Sequence, residues 1–258
     1  MKQSGRSRYH AQLKPVPLNR ALSKLGILSR ARATEAITAG RVRVNGRVVV
    51  NPLAPVVPER ILVRVDEQPA TRAAWRTILF NKPRGVVTTR RDPEGRPTAF
   101  DVLGDAGRGL VAAGRLDLAS TGLLILTTDT RLAGWLTDPA NAVPRVYAVS
   151  VRGRPTEDEV RMLTGGVRDR GELLRASAVH LRKASARESH LIVELRQGRN
   201  REVRRLLAAV GREVTKLKRV RFGGLELGDL GPGEWREVSR EEIRSAFPTY
   251  NRRAEGAP

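Results

Sequence analysis

The chain has 258 residues, 40% hydrophobic, 29% charged and 4% aromatic, enough for one large domain or for a small and a medium one. It carries 48 Lys and Arg against 27 Asp and Glu, a net charge of +21 that calls for a polyanionic partner. Cysteine is absent and His10, His180 and His190 are far apart, which excludes disulfides and cysteine nucleophiles and leaves no pattern for a metal site.

The first elements carry much of that charge, since residues 1–75 hold 14 basic against 4 acidic residues. Residues 1–14 are polar and without hydrophobic period, so a disordered basic arm is expected. Leu18, Leu22 and Leu25 then share one helical face, and Gly26 is placed to stop that helix. Ser29 is positioned to cap a second helix with Ala33, Ala36 and Ile37 inward and Gly40 at its end. Arg41–Val44 and Arg47–Val50 read as strands about Asn45-Gly46, a strong hairpin signal.

Residues 15–66 are thus expected as a small module of two helices plus a hairpin. Arg20 and Lys24 lie four apart on the first helix, Arg30 and Arg32 open the second, and Arg41 and Arg43 share a strand face opposite Val42 and Val44. The six either converge on a phosphate backbone or form a solvated basic surface. Their framework resembles the RNA-binding module shared by ribosomal protein S4 and several RNA-modifying enzymes.

Residues 67–75, with Gln68-Pro69-Ala70, read as a linker. From 76 to 248 short β-like runs alternate with helices. Ile78–Phe80, Gly85–Thr89, Gly122–Thr127, Val146–Val151 and Leu191–Leu195 are expected as strands, and Thr130–Leu136, Thr156–Leu163 and Glu202–Val210 as helices. Such a mixture implies an α+β domain on a mixed or antiparallel sheet. Residues 249–258 read as a loose tail. No run approaches the roughly 20 apolar residues of a membrane span, so a soluble, cytoplasmic protein is expected.

Neither a Gly-x-Gly-x-x-Gly fingerprint nor a phosphate loop is present, so no nucleotide cofactor is expected. In Gly114-Arg115-Leu116-Asp117-Leu118-Ala119-Ser120-Thr121-Gly122, Asp117 sits in a turn before an apolar strand. That placement suits a nucleophile or general base, and equally a local backbone cap. Val143-Pro144-Arg145-Val146-Tyr147 puts a tyrosine on a strand. Gly198-Arg199-Asn200-Arg201-Glu202-Val203-Arg204-Arg205 is a basic loop entering a helix, within a second charged stretch, 196–221, of 10 basic against 2 acidic residues.

In that order the three segments resemble the RsuA/RluB type of ribosomal RNA pseudouridine synthases, over Leu18 to Val238. Asn81-Lys82-Pro83-Arg84-Gly85-Val86 and Leu217-Lys218-Arg219-Val220-Arg221-Phe222-Gly223 match as well. The family often has Asn-Thr, Lys and Glu where this chain has Ala119-Ser120, Arg145 and Gln197.

The resemblance implies the pseudouridine synthase fold, no cofactor and no metal. It makes Asp117 the catalytic carboxylate, Tyr147 the aromatic that stacks on the target base, and Arg204 the partner of the carboxylate. Leu195 would pack beneath the site, while Arg115, Lys82, Arg199, Arg201 and Arg205 would bind substrate. Arg115 either fills the vacated base stack, holds a phosphate or forms a surface ion pair. The segment from Arg91 to Asp101 and the Glu202-containing loop look more like the large-subunit type. The expected substrate is therefore 23S rather than 16S rRNA, free or in a pre-ribosomal particle, and the expected enzyme a monomer. A non-catalytic RNA-binding or ribosome-assembly factor and a DNA-binding regulator remain as readings from other classes.

Overall fold

The computed structural model describes residues 15–70 and 74–250, and its contacts divide the chain between Ala74 and Trp75 into two units. The expected basic arm, and all but the first two residues of the expected tail, lie outside the described residues.

The first unit runs β1 (Val16–Pro17), α1 (Leu18–Lys24), α2 (Arg30–Thr38), β2 (Val42–Val44), β3 (Arg47–Val48), β4 (Pro55–Val56), β5 (Val63–Val65) and β6 (Gln68–Pro69). Ser29 Oγ accepts from the Arg32 amide at 3.3 Å and so caps α2. Asn45 and Gly46 both have positive φ, at 49° and 83°, as the tight hairpin turn requires. Leu18, Leu22, Ala33, Ala36, Ile37, Val42 and Val63 form the core.

Two expectations are corrected here. The returning strand ends at Val48 rather than Val50: the Val49 amide adds one further ladder bond to the Val42 carbonyl at 3.0 Å, and Val50 beyond it is exposed. Gln68 and Pro69, expected in a linker, extend a sheet ordered β3-β2-β5-β6. Asp66 and Glu67 turn that second hairpin at φ 52° and 60° without a glycine or asparagine to signal it.

The second unit begins with β7 (Thr77–Lys82), α3 (Ala99–Leu103), β8 (Val111–Ala112), β9 (Thr121–Thr127) and α4 (Thr130–Thr137). It continues through β10 (Arg145–Arg152), α5 (Glu157–Gly165), β11 (Val167–Asp169), β12 (Glu172–Leu174), β13 (Ala178–Lys183) and β14 (Glu188–Leu195). It closes with α6 (Glu202–Ala209), β15 (Val214–Phe222), β16 (Leu225–Glu226), β17 (Trp235–Glu237) and α7 (Arg240–Ala246).

Its main sheet has the order β13-β14-β10-β15-β9-β7-β17, with β8 on β9 and β16 on β15. Pairing is antiparallel except between β9 and β15, so the sheet is mixed, as the sequence implied. Alternate residues of β7 and β9 go to opposite faces. Ile78, Phe80, Leu124 and Leu126 join Val203, Leu206 and Leu207 of α6, while Leu79, Leu123 and Ile125 join Leu132 and Leu136 of α4 and Ile243 of α7. Burial on both faces is why these strands read as continuous apolar runs.

The strand expected at Gly85–Thr89 does not form. Gly85 has φ 80°, Val87 makes an isolated bridge to Thr98, and Lys82 Nζ occupies the Val86 carbonyl at 2.6 Å.

Gly122 sets the parallel β9–β15 contact, pairing with Arg219. A Cβ added there would lie 2.3 Å from the Arg219 carbonyl oxygen and 2.8 Å from its nitrogen, and φ is 100°. Both the space and the dihedral exclude a side chain. Gly122→Ala is expected to destabilise the protein by about 3 kcal/mol, the sum of left-handed strain and overpacking. Chemical denaturation checks this, and a loss below about 1 kcal/mol would mean that the strands can part without cost.

Candidate active site

A cavity of about 220 Å³ opens at the ends of β9, β10 and β15, and Asp117, Tyr147, Leu195, Arg199 and Arg201 line it. Asp117 stands in the turn before β9. Its carbonyl accepts from the Ser120 amide at 2.9 Å, and the Leu118 carbonyl accepts from Gly85 at 2.9 Å. Thr88 Oγ1 holds Leu116 at both main-chain atoms, donating at 3.0 Å and accepting at 3.2 Å. The turn is therefore rigid, yet the Asp117 carboxylate has no hydrogen bond or ion pair among the described residues.

Tyr147 comes from β10, opposite Val193 of β14 and Arg219 of β15, and is 9% exposed. Leu195 is buried on the wall of the cavity. The roof is the loop into α6. There Arg201 takes φ 50°, the Arg199 amide donates to Glu202 Oε2 at 3.0 Å, and Arg199 Nη1 donates to the Leu173 carbonyl at 2.9 Å. Arg115 is exposed at the rim and forms no ion pair among the described residues, so the ion-pair reading of it is not realised.

Three expected site residues are placed differently. Lys82 is wholly buried, with Nζ on the Pro83 carbonyl at 3.0 Å as well as on Val86, so it does not face a substrate. Burial lowers its pKa to about 8 against the opposing charge of Asp117. Arg204 closes no salt bridge with Asp117. It donates to the carbonyls of Val214 at 3.1 Å and Ala119 at 3.4 Å, bracing the Asp117 turn from behind. Burial and then Arg201 lower its pKa, while the Asp117 charge raises it. Arg205 is engaged by Asp169 and, at 2.7 Å, by Glu172 of the β11–β12 hairpin, which removes it as a phosphate ligand.

The sequence reading missed the buried charges in the cavity wall. Arg145 donates to the carbonyls of Val143, Gln197 and Leu136 at 3.2, 3.1 and 2.9 Å, and lies 4.8 Å from the Phe222 ring. Arg219 donates Nε to the Leu123 carbonyl at 2.7 Å and lies 4.9 Å from the same ring. Burial lowers the Arg145 pKa and raises that of Glu202. The signal was present, since Arg145 heads a largely apolar strand in which Val146, Tyr147, Val149 and Val151 are buried.

In the first unit Arg20, Lys24, Arg30 and Arg32 are exposed. Arg41 instead grips Asp66 through two bonds of 2.6 and 2.5 Å, and Arg43 holds Glu67 at 2.7 Å. Their strand face is shared with the acidic turn that the hairpin reading did not include.

A model of the RNA pseudouridylate synthase family matches residues 76–209, and an S4 domain model matches residues 16–58. The ribosomal large subunit pseudouridine synthase B of Pseudomonas aeruginosa is 40% identical over 88% of this chain and 60% of its own length. The Bacillus subtilis protein of the same name is 33% identical over 88% of this chain and 93% of its own. An uncharacterized RNA pseudouridine synthase of Aquifex aeolicus is 34% identical over 90% and 94%. A crystal structure of a pseudouridylate synthase superposes with TM-score 0.63 and 26% identity, covering 90% of this chain and 99% of that one.

Lys82 makes stability depend on pH. Its folded pKa of about 8 lies below the ordinary 10.5, so between those values the unfolded chain holds a proton that the folded one has released. Stability from this group therefore rises with pH across that window. Relative to Lys82→Met, the wild type is expected to gain stability from pH 8 to pH 10.5 in thermal denaturation. A constant difference would show that Lys82 keeps an ordinary pKa.

Proposed function

The chain belongs to the RNA pseudouridylate synthase family, and from that premise we propose that it isomerises uridine to pseudouridine in large-subunit (23S) ribosomal RNA. The observation that carries this is the rigidly held, unpartnered Asp117 carboxylate in a cavity walled by Tyr147 and buried guanidiniums.

The reaction breaks the bond from ribose C1′ to N1 and joins C1′ to C5. The proton on C5 leaves and N1 ends with a proton, with no redox change. The target nucleotide must first leave its stack, at a cost of a few kcal/mol. A carboxylate that attacks C1′ or removes the 2′ proton needs an oxygen open to the ribose, and the Asp117 carboxylate makes no hydrogen bond among the described residues. Arg204 braces the Asp117 turn through the Ala119 carbonyl, and the Asp117 charge acts on its guanidinium.

Tyr147 supplies a face for the flipped base, and its hydroxyl is the group for the C5 proton. Leu195 excludes water beneath the base. Arg115, free at the rim, fills the vacated stack or holds a flanking phosphate, while Arg199 and Arg201 approach the backbone from the roof. The enzyme is read as a monomer working on free rRNA or a pre-ribosomal particle in the cytoplasm. In the first unit, Arg20, Lys24, Arg30 and Arg32 capture RNA.

Pseudouridine mapped by mass spectrometry across the rRNA of a strain lacking this gene tests the reading. Loss of a large-subunit site, restored by the gene, is expected, and an unchanged large-subunit map contradicts it. For the first unit, Arg20→Gln, Arg30→Gln and Arg32→Gln are each expected to lower the slope of log affinity against log salt by about 0.7 to 0.9. Arg41→Gln and Arg43→Gln should change it less, because carboxylates already offset those charges. Equal effects of both sets would assign capture to the whole surface.

A further inference from the structure

Six buried side-chain polar atoms lack a partner among the described residues: Ser120 Oγ, Trp135 Nε1, Glu202 Oε1, Arg204 Nε, Arg219 Nη2 and Arg221 Nε. Ser120, Glu202 and Arg219 all line the cavity that holds Asp117 and Tyr147, and they are 1%, 3% and 2% exposed. Leaving a buried polar group unsatisfied is costly, so three side chains that line one small cavity and each carry such an atom point to a ligand that completes them.

Two of the three side chains are anchored with one atom to spare. Glu202 commits Oε2 to the Arg199 amide and Arg219 commits Nε to the Leu123 carbonyl, which leaves Oε1 and Nη2 over. The spare set is one carboxylate acceptor, one guanidinium donor and one hydroxyl. The edge of uracil opposite C6 offers the complement, a donor at N3–H between the acceptors O2 and O4.

We propose that Glu202, Arg219 and Ser120 bind this edge of the target uracil before and after the base turns, with Glu202 on N3–H as the pivot. The inference rests on the pseudouridine synthase reading and adds the groups that select and pivot the base. Uracil has approximate twofold symmetry about the line from N3 to C6. A half-turn about that line exchanges N1 with C5 and O2 with O4 and leaves N3–H in place. A site with an acceptor for N3–H and donors for both flanking carbonyls therefore makes the same three hydrogen bonds before and after the turn. It presents first N1 and then C5 to C1′.

When the glycosidic bond breaks, its electron pair stays on N1 and spreads towards O2 and O4, where Arg219 donates. Cytosine has a lone pair at N3 and an amino group in place of O4, so it would set acceptor against carboxylate and donor against donor. A site of this kind rejects the wrong base by leaving buried groups unpaired.

The test uses the full chain and an RNA oligonucleotide built around the uridine that mapping identifies, beside the same RNA with 3-methyluridine at that position. Conversion is read in single-turnover reactions by nucleoside chromatography. The wild type is expected to convert the unmodified RNA and to process the 3-methyl RNA more than about 100-fold more slowly, as expected for a blocked, buried hydrogen bond. Glu202→Ala, which removes the carboxylate facing the methyl group, is expected to slow the uridine substrate and to narrow that ratio at least about tenfold. A merely structural Glu202 would slow both substrates alike and leave the ratio unchanged, which overturns the proposal. So does a wild type that converts both RNAs equally. Failure of the wild type on unmodified RNA would overturn the pseudouridine synthase reading itself.

Discussion

β9 and β15 run parallel and meet at Gly122 and Arg219, closer than any side chain on Gly122 would permit. That contact determines where the chemistry can be. Asp117 lies in the turn that feeds β9, Arg219 is the residue met, and Tyr147 stands opposite Arg219 on β10. Three groups spread over about a hundred residues of sequence are thus brought to one cavity by backbone register, not by flexible side chains. A site built on strands holds its geometry better than one built on loops.

The second constraint is electrostatic. Lys82, Arg145 and Arg204 have pKa values lowered by burial, and of the buried cations Arg145 and Arg219 stand in the cavity wall. Buried cations are costly unless they are hydrogen-bonded. Here main-chain carbonyls hold them, and the Phe222 ring lies against two. What results is a cavity in which buried guanidiniums of the wall face two carboxylates, Asp117 and Glu202. It suits a departing base that gathers negative charge, because oriented dipoles and charges need no rearrangement during reaction.

Elements with local chemical signatures were legible in the sequence. Ser29 caps α2, Asn45-Gly46 turns the first hairpin, and the apolar runs of β7 and β9 read as strands, which the structure buries on both faces. Legibility failed where tertiary contacts decide. The Asp66-Glu67 turn has no glycine or asparagine, Gly85–Thr89 loses a carbonyl to Lys82, and β15 lies almost wholly in the charged stretch 196–221, where no strand was expected. The cavity was read through Asp117 and Tyr147. Arg145, Arg219 and Glu202 were missed because a charged side chain in sequence does not announce its burial. Arg204 was read as the partner of Asp117; the Asp117 charge acts on it, while its hydrogen bonds go to the carbonyls of Val214 and Ala119.

The account depends most on the Asp117 charge. Asp117→Asn keeps the size and the main-chain turn while removing that charge, so single-turnover conversion of the target RNA, with RNA affinity measured in parallel, tests it directly. Conversion should vanish while affinity stays within a few fold. Clear residual conversion by the Asn variant would contradict the assignment of Asp117 as the carboxylate that does the chemistry.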